Sequence, residues 1–200
     1  MQTEIEAKFL NVSHDELRKK LQELGAECVQ PMRLMRRAVF DFPNKVLSKK
    51  GGWARVRDEG DKVTMSYKQL KDRTVSGTEE VNLTVDNYKN AVDFLENIGL
   101  MQKAYQETKR ESWRLKDVEI ELDLWPWLEP MLEIEAQSDA LLKKTAEKLG
   151  LNMKSAVHGS VEIVYASVYN VSEEEVCAWP KITFIDIPEW LESKRKRKDN

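Results

Sequence analysis

Met1-Gln2-Thr3-Glu4-Ile5-Glu6-Ala7-Lys8-Phe9-Leu10 opens the chain with a regular alternation. Glu4, Glu6 and Lys8 fall on one side of an extended backbone; Ile5, Ala7 and Phe9 fall on the other. A period of two predicts a strand with one face in apolar packing and one charged face. The pattern recurs downstream. Residues 53–57 place Arg55 and Arg57 on one face, and after the turn Asp58-Glu59-Gly60-Asp61 the chain returns over 63–68 with Lys68 on the polar side, a hairpin. Thr78, Glu80 and Asn82 alternate with Val81 and Leu83. Residues 118–124 set Glu119, Glu121 and Asp123 against Val118, Ile120, Leu122 and Leu124, and residues 131–136 carry Glu133 and Glu135. Residues 105–113, with Lys109 and Arg110, form a further strand of weaker alternation.

Helices separate these strands. Ser13 and Glu16 have capping-box spacing, Leu17, Leu21 and Leu24 recur at helical intervals, and Gly25 supplies the stop. A second helix starts at Asp86, carries Ala91, Val92, Leu95 and Ile98, and ends at Gly99. A third starts at Ser138, carries Leu141, Leu142, Ala146 and Leu149, and ends at Gly150. Glu4-Ile5-Glu6-Ala7 and Glu133-Ile134-Glu135-Ala136 each precede such a helix, the pattern of a short internal duplication. Residues 182–187 read equally as a strand or as part of a terminal helix. The run 194–198, KRKRK, reads as a solvated, frayed tail.

Composition narrows the function. The 32 Lys and Arg nearly balance the 35 Asp and Glu, a net charge of −3, which excludes a uniformly basic nucleic-acid coat. Hydrophobic residues at 41% exclude a disordered chain, and 200 residues suit a single core. No apolar run has the length of a membrane span and the first ten residues lack the apolar block of a signal peptide, so a cytoplasmic protein is expected. Cys28, Cys177, His14 and His158 have neither disulfide-framework nor zinc spacing.

The charges are sorted by strand. A solvated sheet face ordinarily mixes its residues, because like charges two apart on one strand gain nothing from each other. Here Glu4/Glu6, Glu119/Glu121/Asp123 and Glu133/Glu135 make acidic strands, and Arg55/Arg57 a basic one. With amphipathic helices available to cover the apolar faces, the charged faces are left looking at each other. The expected fold is therefore α+β: a closed antiparallel β-barrel of about eight strands with a charged tunnel and the helices packed outside. Carboxylates without His or Cys are hard oxygen donors that suit Mg²⁺ or Mn²⁺. Arginine forks grip phosphate oxygens through paired bonds, and lysines add point charges. An acidic half for metal and a basic half for a polyanion describe a phosphoryl-transfer site, and a linear triphosphate suits it best.

At these residues the sequence resembles the CYTH superfamily, the triphosphate tunnel metalloenzymes. Glu4-x-Glu6-x-Lys8 matches the ExExK signature, Arg55-Val56-Arg57 the RxR strand, Lys68 the lysine of the next strand and Glu80 the acidic position after it. Arg110 is similar to the second basic strand, though Thr108 stands where members often carry Lys. Glu121-Leu122-Asp123 and Glu133-Ile134-Glu135 resemble the paired carboxylate strands. Members often carry a late tunnel lysine near the final strand; the matching stretch 158–165 has none, and Lys154 is the substitute from a loop. The resemblance implies a tunnel domain over residues 1–170, with 171–200 a C-terminal extension packing on it or trailing from it. It implies metal-dependent hydrolysis of tripolyphosphate, thiamine triphosphate or nucleoside triphosphates. The alternative in the same tunnel is a class IV adenylate cyclase; a third reading, from another class, is a non-catalytic polyphosphate or nucleotide sensor.

Roles follow the resemblance. Lys8, Arg55, Arg57, Lys68 and Arg110 are assigned to the triphosphate. Glu4, Glu6, Asp123, Glu133 and Glu135 are assigned to Mg²⁺ or Mn²⁺, with Glu4, Glu6, Lys8, Glu133 and Glu135 as the catalytic set. Glu80, Glu121, Arg37 and Lys154 are second choices. Trp53 and the pair Trp125 and Trp127 are read as barrel rim or core. The expected partner is a triphosphate-containing small molecule, with no membrane and no specific nucleic acid, and a homodimer is compatible with the sequence. Glu133→Gln is expected to reduce metal-dependent activity with folding intact or improved, since one repelling charge is gone.

Overall fold

The computed structural model describes residues 1–196, and among them ten strands form one sheet. They are β1 (Gln2–Glu4), β2 (Glu6–Leu10), β3 (Glu27–Asp41), β4 (Gly52–Asp58), β5 (Val63–Leu70), β6 (Thr78–Val85), β7 (Met101–Leu115), β8 (Val118–Leu124), β9 (Met131–Glu135) and β10 (Lys181–Ile182). The order is β1-β6-β5-β4-β3-β7-β8-β9-β2, each neighbour antiparallel. β1 and β2 are one run of chain broken at Ile5, so the two ends of this path are covalently joined and the sheet closes into a barrel. At the break, loop backbone replaces the ladder. Glu6 N donates to Val75 O at 3.0 Å, and Lys8 and Val157 exchange a pair of 2.9 Å bonds.

Alternation decides what faces in and what faces out. Ala7, Phe9, Ile120, Leu122, Leu132 and Ile134 point outward and are buried beneath α1 (His14–Glu23), which contributes Leu17 and Leu21. α2 (Tyr88–Asn97) sets Ala91 and Leu95 over Ala38, Phe40, Ala54 and Val56 on the opposite flank. α3 (Asp139–Lys148) joins α1 with Leu142, Ala146 and Leu149. Each of the three is stopped by a glycine at positive φ, Gly25, Gly99 and Gly150. α2 begins at Tyr88 instead of Asp86 because Asn87 is its cap, accepting from Asn90 N at 2.9 Å. Ser13 caps α1 through Glu16 N at 3.3 Å, and the reciprocal capping box belongs to Ser172 and Glu175 further on.

β3, fifteen residues long, escapes period-two reading. Its pairing with β7 shifts register between Cys28 and Gln30, between Gln30 and Arg33, and between Val39 and Phe40. The first two each put an extra residue in β3 and swap its inward and outward sets before Arg33; the third puts the extra residue in β7. Stretch 158–165, aligned with a final strand, is mostly helix. Gly159 at φ 105° turns the chain and α4 (Val161–Val168) begins after Ser160.

α5 (Glu173–Cys177), β10 and α6 (Glu189–Glu192) complete the chain. β10 pairs in parallel with Tyr105 and Gln106 of β7, on a stretch that β8 does not reach, and residues beyond Ile182 leave the sheet. Val176, Ile182 and Leu191 pack with Tyr165, Tyr169, Trp125 and Met131 in one cluster. The basic run is not frayed where it is described. Lys194 pairs with Glu175 at 3.0 Å, Arg195 covers the Tyr169 ring, and Lys196 donates to Val168 O and Ala166 O. Arg197 and Lys198 lie outside the described residues. No helix among the described residues is long and apolar enough to cross a membrane.

Candidate active site

Polar side chains from all eight barrel positions converge on one cavity of about 820 Å³. Register explains the convergence. Lys8 stands opposite Glu133 and Glu6 opposite Glu135 across β2 and β9. Glu133 is opposite Glu121, Asp123 is opposite Arg110, Arg37 is opposite Arg57, and Lys68 is opposite Glu80. Glu4, Glu6, Lys8, Arg55, Arg57, Lys68, Glu80, Arg110, Glu121, Asp123, Glu133 and Glu135 all line the cavity, as does Arg37. Lys154 does not. It is exposed on a 3₁₀ turn (Met153–Ser155) outside the lining, so it cannot stand in for a late tunnel lysine. Glu119 is exposed at the rim.

The barrel separates into two halves. On the acidic side Lys8 bridges Glu6 at 2.9 Å and Glu133 at 3.3 Å. Lys68 donates to both oxygens of Glu4 at 2.8 Å and lies 3.4 Å from Glu80, which also holds Arg55 at 3.2 Å. Arg110 grips Asp123 with Nε at 2.6 Å and a second guanidinium nitrogen, and lies 3.7 Å from Glu133. Arg55 and Arg110 reach from these carboxylates to the basic side, where they crowd Arg37 together with Arg57. Arg57 rests on Glu59 at 2.6 Å, whereas Arg37 has no carboxylate within salt-bridge distance among the described residues. It donates to Thr108 Oγ1 at 3.1 Å and stacks 4.4 Å above the Trp125 ring. The Nε atoms of Arg37 and Arg55 are buried without a partner.

Ionisation follows from this packing. Burial, with Arg55, Arg57 and Arg110 close by, depresses Arg37 well below the usual guanidinium range. Burial and Arg57 bring Arg55 down to about 9. A guanidinium does not give up its proton in a protein, so both shifts express positive charge without enough anion around it. The carboxylates divide into two kinds. Against a burial penalty, Lys8, Arg110 and Lys68 hold Glu133 far below the ordinary carboxylate range. Burial and the charges of Asp123 and Glu133 push Glu121 up to about 7, and burial with Glu133, Glu6 and Glu119 pushes Glu135 up to about 7. Glu4, desolvated and beside Glu80, rises to about 8. Glu80, against burial, is drawn down to about 2 by its hydrogen bond with Glu4 and by Lys68 and Arg55. Glu133 is thus a partner of the protein's own cations. The expectation that its neutralisation relieves repulsion transfers to Glu121 and Glu135.

Among the described residues no three carboxylate, histidine or cysteine groups form a ready cation cage. The donor set nonetheless fits a hard divalent cation. Glu121 Oε2 is buried with no hydrogen-bond partner among the described residues, and at Glu121 and Glu135 burial and neighbouring carboxylates outweigh the nearby cations, Arg110 at 3.9 Å from Glu121 and Lys68 acting on Glu135. Mg²⁺ characteristically takes one or two carboxylates and completes its shell with water and phosphate oxygens. His14 and His158 are structural, their ring nitrogens 3.0 Å from Met131 O and 3.1 Å from Glu6 O. Two site residues escaped the sequence. Glu59 sits in what reads as a plain turn, and Arg33 on the bulged β3; both line the cavity. The signal for Glu59 was its spacing, two residues beyond Arg57 on the same alternating face.

One mouth of the tunnel is bounded by the 58–62 turn. At the other, Ser160, Val161 and Glu162 at the start of α4 and Glu173 and Cys177 of α5 line the wall, placing residues beyond the barrel strands at the site. Tyr165 and Tyr169 fix α4 there by hydrogen bonds to Pro126 O and Trp127 O.

This architecture is shared with solved structures of low sequence identity. A proposed adenylate cyclase from Vibrio parahaemolyticus superposes with a TM-score of 0.71 at 17% identity, covering 82% of this chain and 98% of that one. The PH1012 protein from Pyrococcus horikoshii OT3 gives 0.64 at 22% identity, covering 76% and 93%. HpAC1 from Hippeastrum, a proposed adenylyl cyclase described as having a dominant triphosphatase activity, gives 0.57 at 16%, covering 82% and 95%. No functionally curated protein matches the sequence. The CYTH domain model matches residues 2–161, the span that builds the barrel and its charged interior, and the chain belongs to the CYTH domain family.

Proposed function

We propose that the protein is a divalent-metal-dependent hydrolase of triphosphate-containing substrates. The observation that carries this is the mismatch inside the barrel: buried guanidinium Nε donors without a hydrogen-bond partner at Arg37 and Arg55, and carboxylates at Glu121 and Glu135 pushed up to about 7 because burial and like charge outweigh the nearby cations. A metal–triphosphate supplies both. Arg37, Arg55, Arg57 and Arg110 bind the non-bridging phosphate oxygens, with Lys68 and Lys8 adding charge. Glu121, Glu135, Glu133, Asp123, Glu4 and Glu6 are the oxygen donors from which Mg²⁺ or Mn²⁺ draws its ligands. When bound, the ion supplies charge neutralisation at the phosphates and acidification of water.

The chain's own groups do the rest. Water bonds to phosphorus as the anhydride P–O bond breaks; its proton is accepted by a carboxylate of the acidic half, and the departing phosphate keeps the bonding pair, neutralised by arginine. The basic half holds charge that spreads over phosphate oxygens in the transition state, and the closed barrel keeps these donors in place before the substrate arrives. The triphosphatase activity described for HpAC1 supports hydrolysis over cyclisation.

The test is to incubate the purified protein with tripolyphosphate, and separately with ATP, in Mg²⁺ or Mn²⁺ and to separate the products. Metal-dependent release of phosphate and pyrophosphate is expected. Cyclic AMP with pyrophosphate as the main products from ATP would make it a cyclase, and metal-dependent binding without turnover would make it a sensor.

A further inference from the structure

Glu59 follows β4 at one tunnel mouth, two residues past Arg57. It is only 5% exposed although it belongs to a hairpin turn. Its backbone N–H donates to Lys62 O at 2.9 Å, and its side chain folds back into the cavity. There Glu59 Oε1 accepts from Arg57 Nε at 3.0 Å, from a terminal Arg57 nitrogen at 2.6 Å and from Thr64 Oγ1 at 2.9 Å. Oε2 lies 4.0 Å from Arg33 and 3.8 Å from Lys62. One carboxylate therefore ties off three cations where the arginine row ends. Against burial, Arg57 and the bonds from Arg57 and Thr64 keep Glu59 below the usual carboxylate range, so its charge is present at neutral pH. Among the described residues no carboxylate lies within salt-bridge distance of Arg37, and Arg55 meets Glu80 through a terminal nitrogen while its buried Nε has no partner.

We infer that Glu59 is a register stop: it ends the phosphate-binding row at Arg57 by opposing any phosphate placed beyond it, and so fixes which anhydride bond meets the hydrolytic machinery. This rests on the proposed triphosphate reading of the tunnel. A phosphate pushed past Arg57 meets a desolvated like charge, and like-charge contact in a buried site is a strong form of discrimination. Removing that charge does more than lift the repulsion. It releases Arg57, Arg33 and Lys62 together and extends the cationic row toward the mouth, so a chain can slide outward by one phosphate. Glu59 does not touch the reacting atoms; it is a positioning and specificity residue.

Linear tetrapolyphosphate reads the register directly, because hydrolysis yields either phosphate with tripolyphosphate or two pyrophosphates. Initial products are separated by anion exchange, with tripolyphosphate hydrolysis by the wild type as the control. The wild type is expected to give at most one of these splits. Glu59→Gln, which keeps the hydrogen-bond geometry and loses the charge, is expected to give both, with the second split at least about a tenth of the total. Glu59→Asp is expected to keep the wild-type result. The same product set from wild type and Glu59→Gln overturns the stop, as do both splits from the wild type. If Glu59→Gln loses its fold by circular dichroism, the wild-type split decides alone: a single split supports the stop and two refute it. Absence of metal-dependent tripolyphosphate cleavage by the wild type is a different failure. It removes the functional reading and the stop with it.

Discussion

Replacing Glu121 by glutamine should stabilise the metal-free protein at alkaline pH while removing a carboxylate of the proposed metal site. Glu121 is buried, its Oε2 has no partner, and burial with the charges of Asp123 and Glu133 pushes it from 4.5 up to about 7. The folded state therefore binds a proton that the unfolded chain releases near pH 4.5. A carboxyl raised in this way costs nothing below pH 4.5 and progressively destabilises the fold as pH rises through about 7. At about 1.4 kcal/mol per pH unit the full interval amounts to about 3 kcal/mol by pH 8, and water entering the tunnel reduces this to about 2 kcal/mol. For a chain of this size, 2 kcal/mol is a rise in Tm of roughly 4–8 °C. The assay is thermal unfolding by circular dichroism in EDTA and phosphate-free buffer. Glu121→Gln should exceed the wild type at pH 8, and the gap should close at pH 5. A variant less stable than the wild type at pH 8, or an equal gap at both pH values, would refute the account of Glu121 as a carboxylate waiting for a cation.

Glu133→Gln should do the opposite, lowering stability at pH 7 by about 3 kcal/mol in urea titration, because Lys8 and Arg110 lose a buried counter-charge. Arg57→Ala should lower kcat/KM for tripolyphosphate roughly 10²–10³-fold, and unchanged turnover would take Arg57 out of the site. Asp41 is 1% exposed and accepts from the backbone N–H groups of Phe42, Leu47 and Ser48 and from Ser48 Oγ. Opposed by burial, these bonds hold its carboxyl below the usual range, so its stabilisation is present above about pH 4 and lost as pH falls further. Asp41→Asn should cost about 2 kcal/mol at pH 7, with the difference shrinking below pH 4 in acid-unfolding curves. Mg²⁺ alone and tripolyphosphate alone should each raise Tm less than their combination does beyond additivity, since each neutralises one half of the barrel; strictly additive shifts would contradict a shared site.

The barrel was legible because most of its strands have one wet face and one dry face. β2, β4, β8 and β9 print that difference as period two, and the sorting of Arg55 and Arg57 against Glu133 and Glu135 showed that the wet face was not bulk solvent. β3 was not legible, because two extra residues interrupt its alternation before Arg33, and from Arg33 to Val39, where the register is unbroken, arginines and apolar residues fall on both faces, Arg36 out of phase with Arg33 and Arg37. The helical start at Val161 hid behind a family expectation of a strand, although Gly159 and Ser160 together are a turn and a cap position. Site composition could be read from residue types, whereas pairing could not. Glu121, Glu133 and Glu135 are the same residue on two neighbouring strands; Glu133 has Lys8 at 3.3 Å and Arg110 at 3.7 Å, whereas Glu121 has Arg110 alone at 3.9 Å, and only the structure separates them.

That separation explains how a barrel with so charged an interior can fold without its ligand. Glu133, Glu80, Asp123 and Glu59 are each spent on a lysine or arginine, and those pairs offset the desolvation of the groups involved. The charge left over is small and opposite in sign: the Arg37 guanidinium, with no carboxylate in salt-bridge distance among the described residues, and the carboxylates Glu121 and Glu135, where burial outweighs the nearby cations. A protein optimised for stability alone would replace those three by neutral groups, since buried charge that is not fully compensated destabilises. On the proposed triphosphate reading, the metal would lie toward Glu121 and Glu135 and the phosphates toward Arg37 and Arg55. The donors are fixed by strand register before binding, so little reorganisation is left for the transition state to require.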